Sequence, residues 1–518
     1  MDAHTPSRLL TDRLFHRLLK LIYQYRYPIC GTLAAGLLAY VYMFTNKLPN
    51  HDDLYFLFGK GATLSSGRWG LSLLSHIFPD YSMPWIYGIF TLLILSVCIC
   101  LIIDLFEIRT GMIQALLAAV IITFPSQICI FAYMFTAVPF ALSFLLSVVT
   151  VVMLRKGGRI RVLTAAVCMV LSLGIYQAYL AMSAMLLILL LLRDLLTDAD
   201  TVGKLFTRGL FYVAFLVVSM LLYWGITNLL WAVTQVSMND YAEYALSFSP
   251  SSLAERIGAA YSAFLDVFRH GVHALIPTFA SRYIHYMCFL AIGAELLLWV
   301  RYRGDLARTA LLLFLLGVLP LGVCCMYVIF NSDSIHTLVL YPFAGMYILF
   351  ACTAEQVCGD FDTHKCISFL RQLAREGIVV AMLVITLTNT YVANEAWLAM
   401  ELAYENTYSV ASAVIAQIQN VPGYTTDMPV AIMGAYERPK YHDDNFARLN
   451  KLMGTQGITP TVYSKEYFWE YYHDFPLNNI YFYDTLPLYE NEEYQAMPSY
   501  PNAGFVKEID GIIVVKFS

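Results

Sequence analysis

The sequence predicts an α-helical polytopic membrane protein with a small C-terminal α/β domain. Three observations carry this. Hydrophobic residues make up 59% of the chain and charged residues 13%, about half the share of roughly 25% in soluble domains. Apolar runs of about 18 residues or more recur from Tyr27 to Asn394, each long enough to cross about 30 Å of hydrocarbon as a helix. After Ala396 that pattern stops and short β-type runs bounded by turn residues replace it.

Taken in order, about eleven spans are expected, at 28–46, 84–106, 111–127, 133–154, 162–177, 179–193, 208–235, 283–301, 308–330, 336–354 and 377–395. Alternation puts the N-terminus, the Arg155–Arg161 loop (RKGGRIR), Arg193–Arg208, Arg301–Arg308 and Lys365–Arg375 on one face. These segments hold most of the Lys and Arg outside the tail, so the positive-inside bias makes that face cytoplasmic. The first stretch carries Arg8, Arg13, Arg17, Lys20 and Arg26 and lacks the apolar core and cleavage site of a secretory signal. A cytoplasmic segment 1–27 is therefore expected, followed by a retained first span within a membrane domain 28–395. The opposite face receives 47–83, 236–282, 331–335 and the domain 396–518. Residues 396–420 read as a helix continuing from the last span and ended by Pro422-Gly423. Strand-like runs follow at Val430–Met433, Asn479–Tyr483 and Gly504–Lys507, the last joined to Ile512–Phe517 through Asp510-Gly511, a hairpin signal. The aromatic run Tyr463–Phe475 fits core packing, lipid headgroups or sugar rings, and core packing is favoured because aromatics dominate cores.

No glycine-rich phosphate loop is present, which argues against a cytosolic nucleotide-driven motor. Neither CxxC pairs nor zinc spacings occur among the eleven Cys. No cofactor is expected, a divalent metal is not favoured though left open, and no nucleic-acid partner is expected.

The first outer loop, 47–83, is the most informative segment. Asp52 and Asp53 follow the first span directly. Each would cost about 2.5–3.5 kcal/mol at a bilayer centre, but here they stand just beyond the membrane edge. Leu54, Leu57, Phe58 and Gly61 are spaced to lay one apolar face on lipid. After Ser65-Ser66-Gly67, Arg68-Trp69 leads into Leu71, Leu74 and Phe78, a second short amphipathic helix. Both are expected in the interface plane, with Trp69 at headgroup level. Such a ledge suits glycosyl transfer from a polyprenyl phosphate. A carboxylate can take the proton of an acceptor hydroxyl, and the phosphate leaving group needs cations. Arg68 is the first candidate because its guanidinium binds phosphate oxygens in pairs; Lys60 and Arg282 are further candidates. Tyr176 and Gln177, at an outer helix turn, Trp69, and His51, beside the acids, are candidate substrate contacts. The acids also fit a plain helix N-cap with first-turn charge, and Arg68 a cation snorkelling to headgroups.

A span followed by Asn50-His51-Asp52-Asp53, a short amphipathic stretch, Ser-Gly-Arg-Trp-Gly at Ser66–Gly70 and the Tyr176-Gln177-Ala178 turn resembles the membrane glucosyltransferases of the Gtr type. These decorate bacterial O-antigen and other surface polymers. The resemblance implies a GT-C-like fold, an inverting reaction, and polyprenyl-phosphate glucose as donor to a cell-surface glycan or polymer. It places the work at the outer face of a bacterial cytoplasmic membrane. It also implies a catalytic Asp in the first outer loop, carried here onto Asp52 with Asp53 as its neighbour, or the reverse. Some GT-C enzymes place a second acid in the next outer loop, sometimes with a metal. Phe124–Thr136 has no carboxylate, which favours a metal-independent reaction. The rival reading is a flippase or carrier for lipid-linked saccharides without bond chemistry; it predicts functional charges within the bundle.

Overall fold

The computed structural model describes residues 9–58, 63–78, 82–240, 243, 253–270, 279–331, 334–359, 361, 364–480 and 482–518. Among them, nine helices are long and apolar enough to cross a membrane, and a bent pair makes a tenth. That pair, Gly111–Ile122 and Pro125–Ala132, turns by 50° and extends past the expected end of the third span at 127. Pro125 stands at the start of the second piece, where its missing N–H costs no helical bond. The fifth expected span is the 17-residue helix Arg159–Ile175. The tenth opens as a 3-10 helix, Thr337–Gly345, before becoming α-helical at Met346–Ala354. Pro342 lies inside that first part and cannot donate to an α-helical ladder.

Buried serines join neighbouring spans. Ser143 Oγ lies 3.0 Å from Ser172 Oγ, and Ser147 Oγ lies 2.8 Å from Ser183 Oγ, the small polar contacts that let apolar helices approach. At the arginine-rich ends of the helices the charges neutralise one another. Asp194 meets Arg155 and, at 2.8 Å, Arg208. Arg193 reaches Glu107 at 2.8 Å, and Arg371 holds Glu295 through two bonds of 2.8 and 2.9 Å.

The last span belongs to a single 55-residue helix, Lys365–Gln419. At 1.5 Å per residue it is about 80 Å long, far more than the hydrocarbon needs. Its first part packs on the spans through Ile378, Met382, Ile385 and Val392, and its last part buries Val410, Ala411, Val414 and Ile418 in a separate core. Trp397 Nε1 donates to Ala39 O at 2.8 Å between the two. That second core is closed by a three-stranded sheet of order β1-β3-β2, with β1 Val430–Met433, β2 Val506–Ile509 and β3 Ile512–Lys516. β1 runs parallel and β2 antiparallel to β3. The β2–β3 turn has Asp510 at φ 52° and Gly511 at φ 81°, the left-handed pair a tight two-residue hairpin requires. The expected strand at 479–483 is reduced to one bridge between Val430 and Asn479, because the chain enters the helix Phe482–Tyr489 directly afterwards.

Candidate active site

The first loop is built on Asn50. Its carbonyl oxygen accepts from Asp53 N at 2.8 Å, capping the helix His51–Tyr55, and its amide donates to Ala132 O at 2.6 Å. With one side chain tied at both ends, the loop is pinned to the bend of the third span. The cap turns the two acids in different directions. Asp53 is fully buried and ion-paired with Lys47, and its Oδ1 has no hydrogen-bond partner. Asp52 keeps a third of its side chain exposed. Tyr463 donates its hydroxyl to Asp52 Oδ1, and His51 Nε2 lies 4.0 Å from the same atom. Local desolvation of its hydroxyl and the Asp52 carboxylate push the Tyr463 phenol well above its ordinary range, although its ring is largely exposed, so it stays a donor at neutral pH. Ser464 Oγ bonds His51 O at 2.7 Å, fastening the C-terminal region to the loop a second time.

Two expectations for this loop are corrected. Leu54 does not face lipid: it is buried among Val410, Val414 and Phe468 of the second core. Phe58 is exposed and meets the Tyr471 ring edge-on at 5.0 Å. Likewise Leu71, Leu74 and Phe78 pack inward on the spans, leaving Leu73 and Ile77 outside. Packing of protein on protein takes Leu54, Leu71, Leu74 and Phe78 from the faces assigned to the membrane. The aromatic run divides along the helix Lys465–His473, with Phe468 and Trp469 buried in the core and Tyr463 and Tyr471 exposed beside the first loop.

Arg68 heads a second feature. Its guanidinium lies over the Tyr176 ring, 5.4 Å from the centroid, and its Nε is buried without a hydrogen-bond partner. Tyr176 is in turn stacked on Phe140 at 4.1 Å, so a cation–π contact on a rigid ring aims the arginine. Beyond Arg68 runs a cavity of about 110 Å³ whose walls are mostly apolar, among them Leu173, Leu180, Met220, Trp224 and Phe330. Gln177 Nε2 donates to Tyr223 OH at 2.8 Å and to Ser66 O at 3.2 Å, and Tyr223 OH donates to Gly67 O at 3.1 Å. Gly67 has φ +71°, and an added Cβ would stand 2.6 Å from Tyr223 OH; the turn before Arg68 requires glycine. Gln177 thus holds this turn as well as lining the cavity.

A third feature lies beside the acids. A polar cavity of about 280 Å³ starts at His51 and shares Ile335 with the Arg68 cavity.

Other expected residues fall differently. Trp69 packs on Gly174, where an added Cβ would lie 2.5 Å from its ring. Arg282, in the helix Phe279–Arg303, lines neither cavity. Lys60 lies outside the described residues, as does part of the segment 236–282. In that segment Arg256 is buried and bonds Ile329 O at 2.9 Å and Asn331 Oδ1 at 2.6 Å, bracing the link between two spans. Sequence reasoning missed Lys47, Tyr463 and Tyr133. The Tyr133 hydroxyl is buried without a hydrogen-bond partner, and its ring meets His51 edge-on at 6.3 Å. Lys47 was visible as a cation six residues before Asp53; the other two had no local signal.

These features define a class: a polytopic membrane protein whose first loop exposes one of two adjacent carboxylates and places an arginine at an apolar cavity. The family model described as Glucosyl transferase GtrII matches residues 41–353, and the chain belongs to this family. It is a membrane glycosyltransferase. No curated protein and no solved structure matches the chain. The matched stretch takes in every site residue expected from the sequence, whereas Tyr463 and the 450–456 loop lie outside it.

Proposed function

We propose that the protein transfers a glucosyl residue from a polyprenyl-phosphate donor to a cell-surface glycan or polymer. The reaction would run at the outer face of the bacterial cytoplasmic membrane, with inversion. The observation that carries this reading is the division between the two acids: Asp53 is sealed against Lys47 while Asp52 reaches solvent. In this reaction Asp52 accepts the proton of the acceptor hydroxyl as its oxygen bonds to the anomeric carbon. The bond from that carbon to the phosphate oxygen breaks, and its electron pair leaves on the phosphate. Arg68 binds that phosphate, where a guanidinium matches the oxygens, and the apolar walls beyond it take the first isoprene units. Asp53 supports by holding the loop. Since Phe124–Thr136 offers no carboxylate, Asp52 and Arg68 carry the charge changes without a metal. The domain 396–518 shares the outer side with the site.

The test is turnover of radiolabelled polyprenyl-phosphate glucose by purified protein with bacterial surface glycan as acceptor. Label should move to glycan. Arg68→Ala should raise the donor KM about 10–100-fold, the value of one or two charged hydrogen bonds. EDTA should leave the rate unchanged; a rate abolished by EDTA and restored by a divalent cation overturns the metal-free reading. A carrier would move the lipid-linked sugar across vesicles intact, and recovery of unconsumed donor on the far side would replace transferase by carrier.

A further inference from the structure

The polar cavity beside His51 has no role in the donor chemistry above. Six of its lining residues carry hydrogen-bonding side chains: His51, His336, Thr337, Asn450, Lys451 and Gln456. At about 30 Å³ per liquid water, its 280 Å³ equals about nine waters, room for one pyranose ring. Its composition is opposite to that of the Arg68 cavity, whose walls are mostly apolar. The two meet at Ile335. We propose that this cavity is the acceptor subsite, holding one hexopyranose unit of the receiving glycan next to Asp52.

Three observations support the assignment, which rests on the transferase reading. First, inversion needs the nucleophile to enter opposite the leaving group, so base and acceptor share the side away from Arg68. His51, the neighbour of Asp52, and Lys451 both line the cavity. Second, the wall formed by Asn450, Lys451 and Gln456 comes from the C-terminal region, outside the stretch 41–353 that the family shares. The residues that line the Arg68 cavity all lie within that stretch. Third, the wall is fixed to the membrane domain. Thr337 Oγ1 bonds Lys451 O, and Gly454, at φ +87°, sits so close to Tyr133 that an added Cβ would lie 2.6 Å from its ring. Burial holds the His336 imidazole below its ordinary value, so it is neutral at pH 7 and can both donate to and accept from sugar hydroxyls. Lys451 itself is exposed and forms no ion pair among the described residues, leaving its ammonium available to hydroxyl oxygens.

Lys451→Cys in the full-length protein tests this. Its maleimide labelling is followed by mass spectrometry, with the native exposed Cys366 as internal reference for fold and reagent. The probes are methyl glycosides of glucose, galactose, mannose, N-acetylglucosamine and rhamnose, farnesyl phosphate, and polyprenyl-phosphate glucose. At least one methyl glycoside should slow labelling at position 451 severalfold without changing Cys366, and should do so with farnesyl phosphate present. The donor should protect no more than farnesyl phosphate. Protection by the donor beyond that level would assign the cavity to the transferred sugar and overturn the acceptor assignment; no protection by any glycoside overturns it too. Donor consumption by wild-type protein is measured alongside. If the donor is consumed and no glycoside protects, only the subsite fails; if it is never consumed, the transferase reading fails.

Discussion

Asp52→Asn should lower turnover of polyprenyl-phosphate glucose by about 10²–10⁴-fold, the usual contribution of a positioned general base. Asparagine keeps the size of the side chain and can still accept from Tyr463, so loop geometry and donor KM should change little. The loss should therefore appear in kcat. Asp53→Asn should act differently, because Asp53 is sealed against Lys47 and meets no solvent. Steady-state kinetics on both variants separate the roles. Full turnover by Asp52→Asn would remove the proposed base, and a larger kcat loss in Asp53→Asn than in Asp52→Asn would reverse the assignment.

The second large effect is on stability. Lys47→Met should destabilise the protein by about 3 kcal/mol, at the low end for breaking a buried ion pair since Lys47 is partly exposed. The penalty comes from Asp53, left charged and buried with one oxygen already lacking a hydrogen bond. Adding Asp53→Asn to Lys47→Met should restore most of it, because the uncompensated charge is gone. Thermal unfolding in detergent, for both single variants and the double, measures this coupling. A melting point unchanged in Lys47→Met would show that the pair does not hold the loop.

Much of the architecture was legible in local pattern. A run such as 84–106 forms the helix Pro84–Phe106 because unpaired backbone polar groups in hydrocarbon leave few alternatives. β1 falls at the expected Val430–Met433, and Asp510-Gly511 turns β2 into β3, since both signals lie within a few adjacent residues. The Asp52-Asp53 doublet, Arg68 and Tyr176 were visible for the same reason, as residue types in a short order.

The amphipathic reading of the first loop failed where two candidate apolar surfaces competed. Spacing says that Leu54 needs an apolar environment, not whether lipid or Phe468 provides it, and the structure chose the protein core. The partner of Asp52 could not be read locally either, since Tyr463 stands 411 residues away in the chain. Asp52 and Asp53 are chemically identical neighbours, and only the Asn50 cap, the Ala132 carbonyl and Lys47 decide which is buried. The polar cavity is likewise invisible until His51, His336 and Lys451 converge.

By itself, then, the order of residues determined that the chain is a membrane-embedded helical protein with paired acids and an arginine following its first span. Hydropathy and turn chemistry act over a few residues, and the backbone must satisfy its hydrogen bonds there. Tertiary structure alone decided which acid meets solvent, what Arg68 points along, and which remote segment walls the space beside His51. Those outcomes depend on burial and on contacts between distant parts of the chain, and no short stretch of sequence contains them.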